Sequence, residues 1–130
     1  MKQIVIVEGL RSGTILGACA IALALPGLAP ALSWVPEIPL VAAAILVPIG
    51  IIGWTGVRAT SRSRRLFAGP LAGGLTGAVG GFVGGLTYFS FGKSALNIGV
   101  GLVAGTMAGV AMGFVGAIAS STGLIVRSDR

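Results

Sequence analysis

Gly69-Pro-Leu-Ala-Gly73-Gly-Leu-Thr-Gly77-Ala-Val-Gly-Gly81-Phe-Val-Gly-Gly85 brings glycine back at every fourth position through a stretch without charge. The spacing recurs at Gly101, Gly105, Gly109 and Gly113, and Ala117 takes the next place. In water such a stretch is a poor helix, because each interior glycine costs about 0.8 to 1 kcal/mol relative to alanine. In a bilayer the balance reverses: a peptide group left unbonded in hydrocarbon is costlier than the glycine, so a spanning segment stays helical. The missing side chains let two backbones approach, and dispersion contacts hold them where lipid removes the hydrophobic drive. The two rows predict a glycine zipper between the third and fourth helices of an all-α integral membrane protein.

Composition agrees. The chain has 130 residues, 55% of them hydrophobic, with 9% charged and a mean hydropathy of +1.01, too apolar for a soluble globule. A span needs about 20 apolar residues to cross about 30 Å of hydrocarbon, which leaves room for four spans in a single transmembrane domain over 1–130. Histidine is absent, and with it the commonest general base and transition-metal ligand. Cys19 is alone, so no internal disulfide forms, and in its apolar run it reads as a packed small side chain.

Outward from the glycine rows, the spans are expected at roughly 13–32, 40–57, 66–89 and 97–120. Lys2, Arg11, the apolar run after them and Ala29-Pro30-Ala31 have the form of a signal peptide, but the reading preferred here is a first transmembrane helix whose far half Pro26 and Pro30 kink. The second span holds Pro48 and ends near Trp54. Arg58, Arg62, Arg64 and Arg65 then mark 58–65 as a basic cytoplasmic loop. The uncharged stretch from Ser94 to Val126 is too long for one crossing, so Ser121-Thr122-Gly123 is read as a cap or turn and Leu124-Ile125-Val126 as interfacial. With both termini cytoplasmic, that side holds Lys2, Arg11, Arg58, Arg62, Arg64, Arg65, Arg127 and Arg130, while the far side holds Lys93 and Glu37. This skew is what the positive-inside rule asks of an even number of spans.

An offset of 32 residues superposes Gly69, Ala72, Gly73, Gly77, Gly81, Phe82, Val83 and Gly84 on Gly101, Ala104, Gly105, Gly109, Gly113, Phe114, Val115 and Gly116. Duplication and convergent small-residue packing both produce such a match. A row of spacing four drifts about 40° per step around a helix of 3.6 residues per turn. A straight neighbour follows only part of it, so the expectation is a groove shared among several helices, with small-residue surface left over.

Candidate chemistry is sparse. Glu8 and Arg11, three apart, share a helical face and read as an ion pair at the headgroup level; the sharper alternative is a coupling carboxylate. Asn97, Tyr88 and Phe89 would supply the polar path if the protein were a channel. Arg58, Arg62, Arg64 and Arg65 would meet anionic lipid, at about 1 kcal/mol per charge, or an acidic partner. Met107 and Met112 read as packing residues. No catalytic residue, cofactor site, metal site or nucleic-acid groove is expected.

Gly84-Gly85-Leu86-Thr87-Tyr88-Phe89-Ser90-Phe91 resembles the Gly-Gly-x-Thr-Thr-Phe-Ser-Thr-Phe signature of the small four-span fluoride channels. It departs from that signature in having Tyr88 for the second threonine, in lacking a residue between Ser90 and Phe91, and in falling at the end of a span. No site is carried over from it. A glutamate early in the first helix is similar in placing to that of small multidrug transporters, without their later aromatic pattern. The function expected is that of a non-catalytic subunit that packs, scaffolds or helps assemble a larger complex in the cell inner membrane or an organellar inner membrane. Its partners would be lipids and other membrane subunits or further copies of itself. The alternatives are a small homo-oligomeric ion channel or transporter, and a virion or envelope structural protein.

Overall fold

The computed structural model describes residues 2–122. They form four long helices, α1 (Lys2–Leu28), α2 (Glu37–Ser63), α3 (Ala68–Ser90) and α4 (Leu96–Ser121), with a short 3-10 turn at Pro30–Leu32 between the first two. Gly123 of the expected turn, the interfacial Leu124-Ile125-Val126, and the cytoplasmic charges Arg127 and Arg130 lie outside the described residues. α1, α2 and α4 are long and apolar enough to cross a membrane, which marks the chain as a membrane protein. α3 has a lower hydropathy because glycines at 69, 73, 74, 77, 80, 81, 84 and 85 bring no apolar side chain. Its 23 residues still measure about 35 Å at 1.5 Å each.

The helices overrun the spans expected from hydropathy. α1 begins at Lys2 rather than near Gly13 and ends at Leu28, short of Leu32. Its first turns stay helical because Val5 packs against the small-residue cluster of Ala59, Ala68 and Ala72. Pro26 lies inside α1, whereas Pro30 opens the 3-10 turn, where its missing N–H costs nothing. The basic stretch expected as a loop at 58–65 is helical as far as Ser63, since no glycine or proline interrupts it and arginine is a good helix former. α2 stops where Arg64 turns left-handed at φ 53°, its N–H bonding the Thr60 carbonyl at 2.8 Å. Gly92, at φ 80°, makes the corresponding turn after α3, a conformation that glycine adopts without strain.

Successive helices run antiparallel. α3 is central, with α1 on one side, α4 on another, and α2 touching all three of the other helices. An ion pair from Glu8 to Arg62 and a 2.8 Å hydrogen bond between the hydroxyls of Ser61 and Ser120 bring the start of α1, the end of α2 and the end of α4 to one end of the bundle. Most buried residues lie in that half. Toward the other end α2 is less covered, with Ile38, Val41 and Leu46 exposed.

Candidate functional site

The glycines of α3 and α4 stand against one another in register. A methyl group placed on Gly69 would lie 2.7 Å from Cβ of Ala117 and 2.7 Å from the Gly113 carbonyl oxygen. On Gly73 it would strike the Gly109 carbonyl oxygen and lie 2.8 Å from Cα of Gly113. On Gly77, Gly81 and Gly85 it would strike the carbonyl oxygens of Gly105, Gly101 and Asn97. The relation is reciprocal: methyls on Gly101, Gly105, Gly109 and Gly113 would run into the carbonyls of Gly81, Gly77, Gly73 and Gly69. The expectation that one partner could follow only part of the row is therefore corrected, because α4 meets all five members. The physical reason is that the partner carries a row of the same four-residue spacing, so the members of the two rows stay matched along both helices.

Two further glycine contacts were passed over in the sequence. Gly9, Gly13 and Gly17 of α1 also stand four apart, and methyls there would lie 2.7 Å from Cδ2 of Leu75, 2.8 Å from Cβ of Val79 and 3.1 Å from Cγ2 of Val83. In return, Leu16 of α1 covers Gly80 of α3. On α2, a methyl on Gly56 would lie 2.5 Å from the Gly113 carbonyl oxygen, and Gly116 abuts the backbone of Gly53 and Val57. The signal in α1 was the same four-residue spacing, hidden because only three members occur and charges flank them.

The polar groups gather at the closely packed end. Glu8 is 2% exposed and pairs not with Arg11, as its spacing suggested, but with Arg62 of α2, which donates through Nη1 to Oε1. Helical spacing identifies neighbours on one helix and is blind to a partner 54 positions away. Oε2 of Glu8 and Oγ1 of Thr60 are buried without a hydrogen-bond partner. Thr76, fully buried on α3, donates to the carbonyl of Ala72 on its own helix at 2.9 Å or to that of Gly9 on α1 at 3.2 Å. Arg64 and Arg65 are exposed, and half-buried Arg58 lies 5.8 Å from the ring centre of Trp54, within cation–π range.

Tyr88 and Phe89 are about half exposed at the end of α3, and Asn97 is half-buried in the first turn of α4 with its carbonyl oxygen at Gly85. Tyr88 lines a cavity of about 200 Å³ together with Cys19, Ala44 and Pro48. Phe89 and Asn97 do not line it. Among the described residues no group of three or more His, Cys, Asp and Glu side chains is placed to hold a metal ion. Comparison with protein-family models, with curated proteins and with solved structures finds no match to this chain.

Proposed function

We propose that this protein is a non-catalytic multispanning subunit that helps assemble a larger membrane complex through glycine-rich helix packing. In this reading α3 crosses the membrane with the other three helices, joined to α4 by a glycine zipper. The end that carries Arg58, Arg62, Arg64 and Arg65 lies in the cytoplasm or its organellar equivalent. There the arginines bind anionic lipid headgroups or an acidic partner. The observation that carries the proposal is the contact of α3 on α4 at backbone distance. Such a unit is closed on itself, and it leaves the outer surface of α4 free for a neighbour. An open apolar groove of about 760 Å³, lined by Leu96, Gly99, Val103 and Met107 among others, runs along that surface. Its small residues, Ala95, Gly99 and Ala104, allow close approach by a helix of another subunit.

Co-purification in mild detergent tests this. An added Cβ on Gly99 meets nothing within 4 Å, so Gly99→Phe leaves the fold intact and should release the partners, whereas Gly77→Ile should release them by opening α3 from α4. Unchanged co-purification of every partner with both variants would sink the proposal. A second reading, a small homo-oligomeric channel or transporter, is favoured by the buried acid in α1. Selective flux through liposomes holding the purified protein alone, abolished by changes at Asn97, Tyr88 or Phe89, would establish that reading instead.

A further inference from the structure

The row of contacts that seats α1 on α3 ends in a gap. A methyl on Gly17 would stand 3.1 Å from Cγ2 of Val83, but a methyl on Gly84 would meet nothing nearer than Cβ of Ala20, at 3.8 Å. Beyond that point Ala20 and Ala24 of α1, Ala44 of α2 and Gly84 of α3 bring too little side chain to close the space, and the cavity of about 200 Å³ remains between the three helices. Ala44 and about half of Tyr88 are exposed, so the cavity opens to the surface of the bundle. No charged side chain lines it. Its polar feature comes from Pro48. This residue lies inside α2 and has no N–H, so the Ala44 carbonyl, one turn earlier, loses the donor that the helix would supply. Ala44 and Pro48 are four apart and both line the cavity, which places that carbonyl at the cavity wall. A carbonyl freed in this way inside a bilayer needs a donor from elsewhere. The hydroxyls nearest along α2 and α3 are engaged, Thr55 with the Ile51 carbonyl and Thr87 with that of Val83, each at 2.8 Å.

We propose that this cavity binds a neutral, lipid-soluble hydroxyl compound of the size of a phenol, whose ring lies among the alanines and whose hydroxyl donates to the Ala44 carbonyl. Size, walls and the missing donor together select this class. An engineered apolar cavity of about 150 Å³ holds benzene, so about 200 Å³ has room for a single substituted ring. A charged ligand would find no counter-charge. A ketone, ether or ester has no hydrogen to offer the carbonyl, and an acyl chain would suit the walls but leave the carbonyl unmatched. Tyr88, on the same cavity, carries a hydroxyl that can donate to the ligand oxygen or accept from it. This inference does not rest on the assembly reading.

4-Fluorophenol and fluorobenzene are matched probes that differ only in the hydroxyl, and their fluorine resonances report binding directly. With the whole protein in phosphatidylcholine nanodiscs, each probe's line should broaden saturably beyond its width in empty discs. At equal concentration in the bilayer, 4-fluorophenol should bind about fivefold more tightly, the equivalent of one hydrogen bond. Gly84→Leu, whose added side chain enters open space, should abolish the binding of both probes while circular dichroism shows the helices intact. Pro48→Ala restores an N–H for the Ala44 carbonyl and should bring the affinities of the two probes together. Broadening no greater than in empty discs, equal affinity for the two probes in the parent protein, binding that survives Gly84→Leu, or a preference for 4-fluorophenol that survives Pro48→Ala would each overturn the proposal.

Discussion

α3 offers different materials to its two main neighbours. To α4 it presents Gly69, Gly73, Gly77 and Gly81, which meet glycines, so backbone lies on backbone. To α1 it presents Leu75, Val79 and Val83, which rest on Gly9, Gly13 and Gly17, so a side chain fills the space above each glycine. Both contacts are written with a spacing of four residues, yet they differ in what can give way. A side chain can shift by a few tenths of an ångström, or be trimmed to compensate. A carbonyl in a helix moves only if the whole helix moves. The α3–α4 contact is therefore the rigid seam of the bundle, and the α1–α3 contact is the adjustable one.

The largest effect should follow from Gly77→Ile or Gly109→Ile, whose side chains enter the opposing backbone. Reversible unfolding in detergent should show a loss at or beyond the top of the range of about 1–3 kcal/mol for overpacking, and no single trimmed side chain on the facing helix should restore it. Gly13→Ala comes next, with a loss of about 1–2 kcal/mol as its methyl presses on Val79. Here Val79→Ala should recover much of the loss, and a double-mutant cycle gives the coupling directly. If Gly13→Ala gained nothing from Val79→Ala, the distinction between the two faces of α3 would fail. Thr76→Val removes a hydroxyl shared between Ala72 of α3 and Gly9 of α1, and should cost about 0.6 kcal/mol, the average for such bonds inside membranes. The smallest change belongs to Gly99→Ala and Gly50→Ala, where nothing lies within 4 Å of the added carbon; these should stay within about 0.5 kcal/mol of the parent.

Much of the architecture is legible in the sequence, because hydropathy and glycine spacing are local signals that act over one or two turns. The two rows of α3 and α4 can be read from their period alone, and their antiparallel pairing follows from the short connection at Gly92. What sequence spacing misreads is the extent of the seam, since α4 carries a row of the same period and meets every member of the α3 row. The polar site is less legible still. Glu8 stands three residues from Arg11, and local spacing favours that pair; its partner, Arg62, arrives only once α2 has folded back along α1. Nor does the basic run announce that Arg58 and Arg62 sit on a continuing helix, because hydropathy falls at the first arginine while the backbone has no reason to break before Arg64.

Alanine replacement along α3 probes the rigid seam most directly, with stability measured in one detergent for Gly73→Ala, Gly77→Ala, Gly81→Ala and Gly84→Ala. The first three place a methyl against the α4 backbone, whereas at Gly84 the nearest atom, Cβ of Ala20, is 3.8 Å away, an ordinary contact. The account predicts large losses at the first three positions and little or none at Gly84. Equal losses at all four, or a loss confined to Gly84, would contradict it.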